Sequence, residues 1–359
     1  MIDKSCYMLE KYQLIVGCSL FLLYFITNQI NPINSLAQMQ KDDKFSSRTF
    51  EELKDYALTQ INEDRKNFGL EPVLPSNNSA AQIQANEILN TRSLSHLTTN
   101  GFKPYMIYSL YNGTGYVQQN VAQIQYILPA YYDQKNDQKS SDVCNNGNKY
   151  YYCPILDPYQ AIRDLEYSMI NNDSKCCNNG HKNNILNKFH THVSIGIAYN
   201  KYNLVIVQNF ENQYLGSNYT IEKNKNEIKL QARIPDQNKY NFSINHISFF
   251  LDDHPTKLSY EKNKNKNSYD LGDLKLMVSK PLPPYEKYIQ GDDSYRIVEA
   301  DRWNSTTSNI NLEMSLPDDL SIENRVLTMV VYGKSIENNI DNTNENDYIP
   351  LTSYTFFNS

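Results

Sequence analysis

The chain has 359 residues, 40% of them hydrophobic and 21% charged, with a formal net charge of −6. That length exceeds one average core and predicts two domains. The acidic balance argues against a nucleic-acid partner, which calls for a basic face.

The N-terminus carries a localising signal. Gln13 to Thr27 is mostly apolar and is preceded by Lys4 and Lys11, the layout of a charged n-region and an apolar h-region. Ser35-Leu36-Ala37 resembles a small-x-small cleavage site. Residues 1–37 are therefore expected to be a cleaved signal peptide or a retained N-terminal membrane anchor, the apolar run barely reaching a spanning length. Either places the rest of the chain outside the cytoplasm, secreted or at the cell surface.

Thr49 and Glu52 form a capping-box pattern, and Phe50, Leu53, Ala57 and Ile61 come next at helical spacing. This first helix should stop at Gly69. A second begins at Ser79 and offers Ile83, Ala85, Ile88 and Leu89 to a core. Residues 126–157 have no clear period and are rich in Tyr and Cys, as expected of an insertion held by cross-links. Asp157-Pro158 supplies an N-cap and an N1 proline for a third helix with Ile162, Leu165 and Met169 on its buried stripe. Val193–Tyr199 and Leu204–Phe210 alternate across a short Asn200–Asn203 link and read as a hairpin. Helices followed by a hairpin indicate an α+β layered domain over 46–214.

Beyond residue 217 short apolar runs separated by polar or Pro-rich turns predict a β-rich, sandwich-like domain over 217–359. Within it, the Lys/Asn run Glu261–Asn267 reads as a solvated turn or edge, and Trp303 as a core anchor.

Four cysteines lie beyond the leader: Cys144, Cys153, Cys176 and Cys177. Three pairings are possible. A vicinal Cys176–Cys177 ring is strained, so two cross-links between the 144–153 loop and the 176–177 loop are expected. A zinc knuckle is the rival reading, although no Cys-x2-Cys pair is present.

Five ordered segments carry a family resemblance. They are Ala57–Leu70, Ser93-Leu-Ser-His96, Gln118–Ala122, Gly180-His-Lys-Asn-Asn-Ile-Leu186 with Val193–Ile197, and Val207–Phe210. Together they resemble the CAP superfamily (SCP, or cysteine-rich secretory, antigen 5 and pathogenesis-related proteins), and the short GHxxNIL form resembles its prokaryotic branch. The resemblance covers roughly 50–212. It implies a three-layer α-β-α sandwich with a cavity lined by two His and two acidic residues. His96 and His181 match the histidines, Glu166 matches one acid, and Gln119 stands where the second acid would lie. Asn120 and Asn184 are expected to hydrogen-bond backbone beside the cavity.

Two imidazoles and a carboxylate can hold Zn²⁺ or another divalent ion with one exchangeable position. His96, His181 and Glu166 are the ligand candidates, and Gln119 in place of a carboxylate predicts weak binding. No Gly-x-Ser-x-Gly, His-Glu-x-x-His or phosphate-binding glycine loop occurs. A non-catalytic binding module is thus favoured, for a lipid, glycan, peptide or envelope polymer. A metal-assisted hydrolase or a structural, adhesive envelope protein are the alternatives. The Tyr-rich insertion is a candidate contact surface.

Overall fold

The computed structural model describes residues 50–126, 128–129, 151–215, 219–234, 242–289, 294–306, 308–318, 320, 324–335 and 348–357. The leader, the cap at Thr49, Cys144 and most of the tyrosine-rich insertion lie outside these residues. Among the described residues no helix is long and apolar enough to cross a membrane.

The first half alternates helices and strands. Helix α1 (Phe50–Asn67) buries Leu53, Ala57 and Ile61, one residue per turn, and Gly69 ends it at φ 72°. Two polar residues of α1 tie down the chain beyond it. Asn62 brackets Val73, donating to its carbonyl at 3.0 Å and accepting from its N–H at 2.8 Å. The buried Arg65 guanidinium donates to the carbonyls of Glu71, Ile185 and Asn187. β1 (Leu74–Pro75), α2 (Ala80–Thr91), α3 (Pro104–Leu110) and β2 (Tyr116–Gln125) come next. Beyond the short pair β3 (Leu128–Pro129) and β4 (Tyr151–Tyr152) lies α4 (Pro158–Asn171). Its N-cap Asp157 accepts from the N–H groups of Tyr159 and Gln160, with proline at the first helical position. The short helices α5 (Asp173–Cys177) and α6 (Gly180–Ile185) lead to the hairpin β5 (His192–Tyr199) and β6 (Asn203–Asn212). Asn200 closes that hairpin by accepting from the N–H groups of Tyr202 and Asn203.

These strands form one sheet of order β1-β5-β6-β2. Alternation sends successive side chains to opposite faces, and each face feeds its own cluster. Ile124, Val193, Ile195, Ile197, Leu204, Ile206 and Phe210 pack with α1 and α4. Val121, Ala198, Val205 and Val207 pack with Ala81, Ala85 and Ile88 of α2. Gly196 permits the close approach of α2, since a Cβ there would overlap the Ala81 backbone.

The second half is mostly strand: β7 (Thr220–Asn224), β8 (Glu227–Arg233), β9 (Phe242–Asp253), helix α7 (Lys257–Asn263), β10 (Asp273–Ser279), β11 (Arg296–Glu299), β12 (Arg302–Ser305), β13 (Asn309–Ser315), β14 (Arg325–Ser335) and β15 (Ile349–Phe357). One sheet has the order β11-β10-β9-β14-β15 and the other β12-β13-β8-β7. The pairings are antiparallel except β10–β11. Both sheets point alternate residues into one core, including Ile228, Leu230 and Leu312 from the smaller and Phe249, Val278 and Met329 from the larger. Trp303 is partly buried against that core, consistent with an anchor. The class is α+β.

The two halves are joined tightly. Tyr105, Met106 and Tyr108 of α3 share a cluster with Val326 of β14, and Phe102, Tyr269, Leu271 and Phe357 pack against it. Lys103 Nζ lies 2.6 Å from Asp252 Oδ1 and 2.5 Å from Asp270 Oδ1, while Tyr105 donates to Asp252 Oδ2. Gly101, at φ 87°, sits against the start of α7 so closely that a Cβ would overlap the Thr256 backbone. The Lys/Asn run Glu261–Asn267, expected to be a solvated turn or edge, is the mostly exposed end of α7 and the turn after it, and it leads into this junction.

Candidate functional site

A cavity of about 240 Å³ opens at this junction, lined by His96, Gln119, His181 and Asn184 from the first half and by Asn267–Leu271 from the second. Tyr116, Val117, Gln118, Cys177 and Gly180 complete the wall. The sequence brings the two histidines there by different routes. His96 lies after α2 on a segment tied down by Gln84, whose amide donates to the carbonyls of Ser95 and Leu97. His181 stands on α6, turned back against α5 by Asn178 and Asn179, both left-handed at φ 49° and 63°. Asparagine tolerates that conformation better than most residues.

His96 is buried, and burial pushes its pKa down to about 4. Its Nδ1 lies 3.0 Å from Gln119 Oε1, the Asn267 backbone also hydrogen-bonds it, and the Tyr269 ring packs 5.3 Å away. Gln119 in turn donates from Nε2 to Asn209 Oδ1 at 3.0 Å. Its backbone N–H donates to the Tyr269 hydroxyl at 3.1 Å, a link from the second half onto β2. A neutral imidazole beside an amide is a satisfied pair without net charge. Gln119 therefore occupies the position beside His96 that the resemblance gives to an acid.

Asn120 donates to the His181 carbonyl at 3.2 Å and Asn184 donates to Asn120 Oδ1 at 2.9 Å. Glu166 does not join the histidines. It is buried beneath the sheet, where Gln208 Nε2 donates to its Oε1, and it is absent from the cavity wall. The register explains this: Gln208 pairs with Asn120, whereas Asn209 pairs with Gln119, so the two amides point to opposite faces. Burial, and then the charge of Asp64, push the Glu166 carboxyl up to about 8. With Glu166 on the far side and His96 Nδ1 engaged by Gln119, His96, His181 and Glu166 do not fit one metal ion.

Among the described residues a different group converges. One ligand atom each from Asp173, Cys176, Cys177 and His181 lies within 4.8 Å of the others. Asp173 Oδ1 is 2.6 Å from His181 Nδ1, and its Oδ2 accepts from the Lys182 N–H at 3.2 Å. The expected double cross-link needs correction here: Cys153 and Cys177 are each in a disulfide, but Cys176 is a free, exposed thiol. Cys176 lies on the first turn of a helix facing Asp173, which keeps it beside the bridge but outside it. Asp173 carried no signal in the sequence; it lies in an Asn/Asp/Ser run that reads as a loop. The Asn267–Leu271 wall likewise carried no sequence signal, beginning where the solvated Lys/Asn run ends.

His190 Nδ1 faces Asn212 Oδ1 at 2.7 Å, and His192 Nδ1 faces Thr191 Oγ1 at 2.9 Å.

No protein-family profile matches the chain, and no curated protein matches it. Among solved structures, it is similar to an extracellular protein containing an SCP domain from Bacillus anthracis str. Ames, solved at 1.5 Å resolution. Identity is 15%, the TM-score is 0.29, and the match covers 46% of this chain and 44% of that one. The chain thus spans less than half of that protein's length.

Proposed function

We propose that the chain is an extracytoplasmic, non-catalytic binding module. In this reading its first half is a CAP/SCP-type α-β-α sandwich, its second a β-sandwich closing over it, and the His96–His181 cavity seats one sugar ring of an envelope glycan. The observation that carries the reading is the composition of the cavity wall. Tyr116 and Tyr269 offer aromatic surface, and Gln118, Gln119, Asn184, Asn267 and Asp270 offer donors and acceptors. Such a set suits a neutral, hydroxyl-rich ligand with one apolar face. Val117 and Leu271 are the aliphatic members of the wall, too few for a lipid chain. The volume is below the several hundred Å³ usual for larger organic ligands and suits a single ring. A metal-assisted hydrolase is less well supported, because His96 Nδ1 is engaged by Gln119 and Glu166 lies elsewhere.

Calorimetric titration of the full chain with an N-acetylhexosamine trisaccharide tests this, with a neutral tripeptide as the competing ligand. Saturable binding at roughly 0.1–1 mM, or about −4 to −5.5 kcal/mol, is expected for the sugar. Tyr269→Ala should abolish it and Tyr269→Phe retain most of it. Binding of the tripeptide alone would overturn the glycan reading, as would sugar binding unaffected by Tyr269→Ala.

A further inference from the structure

The geometry points to a second site beside the cavity: a redox-gated centre for a zinc-class divalent cation, built from Asp173, Cys176, Cys177 and His181. It is separate from the sugar-binding reading and shares only wall residues Cys177 and His181 with it.

Asp173, Cys176 and Cys177 stand at i, i+3 and i+4 of α5, so one helical turn puts all three on one side. The left-handed pair Asn178-Asn179 then reverses the chain, and His181 returns to the same side. Four residues close together in sequence thus present four ligand atoms to one point.

The ligands also suit one class of ion. Two sulfurs, an imidazole and a carboxylate match the borderline, tetrahedral preference of zinc; calcium and magnesium want oxygen throughout. Outer contacts hold the set in place. The Lys182 N–H binds Asp173 Oδ2, and Asn120 holds the backbone of His181. Partners of this kind orient metal ligands in general. The required adjustment is small. Sulfurs bound to one zinc sit about 3.8 Å apart, given Zn–S bonds of about 2.3 Å in a tetrahedron. Cys176 and Cys177 Sγ are 2.6 Å apart, so they must separate by about 1 Å, which rotation of the exposed Cys176 allows. The cation would take the place of the hydrogen bond between Asp173 Oδ1 and His181 Nδ1, the neutral imidazole keeping its proton on Nε2 instead.

The gate is the bridge at Cys177. While oxidised, that sulfur has no thiolate to give. A dithiol reductant supplies two electrons and two protons: the protein S–S bond breaks to two thiols, and the dithiol closes to its own disulfide. The cation then displaces the thiol protons of Cys176 and Cys177, releasing two H⁺ as two metal–sulfur bonds form. Cys176 is already free, so one reduction completes the set.

Cobalt(II) is the probe, titrated into the full chain before and after reduction with a water-soluble phosphine under argon. The reduced protein should develop thiolate-to-cobalt charge-transfer absorption that saturates at one equivalent and is bleached by zinc. Its affinity should exceed that of the oxidised protein at least 100-fold. Cys176→Ser should weaken binding at least tenfold and roughly halve the band, and His96→Ala should leave it unchanged, which separates this site from the cavity reading. Equal binding in both redox states, an undiminished band in Cys176→Ser, or no band in reduced protein that keeps its circular dichroism would overturn the proposal. Should reduction unfold the chain, Cys177→Ser opens the bridge without reductant and keeps three ligands. A weaker one-thiolate cobalt complex is expected there, and its absence also overturns the proposal.

Discussion

Replacing Glu166 by Gln isolates the one carboxyl that sequence places in the cavity and the structure places beneath the sheet. In the wild type the carboxyl is 2% exposed, Gln208 donates to Oε1, and Oε2 has no hydrogen-bond partner among the described residues. Its pKa rises from 4.5 to about 8, mainly by burial. A carboxyl raised in the fold contributes its full stability below the unfolded value and loses it as pH climbs through the folded value. Between about pH 4.5 and 8 the unfolded chain ionises here while the folded chain stays protonated, so wild-type stability should fall by about 1.4 kcal/mol per pH unit from this group. The amide introduced by Glu166→Gln cannot ionise, although its N–H would lack an acceptor at a cost of about 1–3 kcal/mol. The variant should therefore be no more stable than wild type at pH 5 and more stable by about 1–3 kcal/mol at pH 8. Urea denaturation of both proteins at half-unit steps from pH 5 to 8.5 measures the difference directly. A difference that does not change with pH would refute the burial of Glu166 and reopen a solvent-accessible role for it.

Three further substitutions probe the cavity and the junction. Gln119→Glu puts a carboxylate beside His96 Nδ1, and Asn209 Nδ2, unpartnered among the described residues, can turn to meet it. The His96 pKa should rise from about 4 by about 1–3 units, read from ring NMR shifts against pH; an unchanged titration would separate the two side chains. Lys103→Met leaves the largely buried Asp252 without its cation and should cost about 2–3 kcal/mol, below the 3–5 of a fully buried pair because Lys103 is partly exposed. Calorimetry should show the melting of the two halves draw apart, whereas one unshifted transition would contradict the clamp. Gly101→Ala forces a side chain into the Thr256 backbone at a positive φ and should destabilise by at least about 1–3 kcal/mol. Limited proteolysis should then cut first between α7 and β10; protection equal to wild type would count against the close approach.

Much of the scaffold could be read from local pattern. The helical stripe of Ile162, Leu165 and Met169, the Asp157-Pro158 start and the Val193–Phe210 hairpin depend on neighbours in sequence, and each appears where periodicity puts it. His96, Gln119, His181 and Asn184, singled out through the family resemblance, line one cavity. What stayed hidden depends on long-range approach. Asn267 and Tyr269 reach the cavity only because α7 docks on Gly101 and Lys103 clamps Asp270. The Lys103–Asp270 partners are 167 residues apart, a separation that no local period encodes. Glu166 was misplaced because its neighbourhood depends on which face of β2 each amide takes, a one-residue question of register. Cys176 escaped the cross-link for a similar reason: which of two adjacent sulfurs faces the bridge is settled by the turn of α5.

The cavity reading stands most directly on whether His96 and His181 face one ligand. Carbon-detected NMR of both imidazole rings, recorded while an N-acetylhexosamine trisaccharide is titrated into the full chain, measures that. Both rings should shift together, with one midpoint, and both responses should vanish in Tyr269→Ala. Saturable sugar binding that leaves both rings unmoved would place the ligand elsewhere and contradict the assignment.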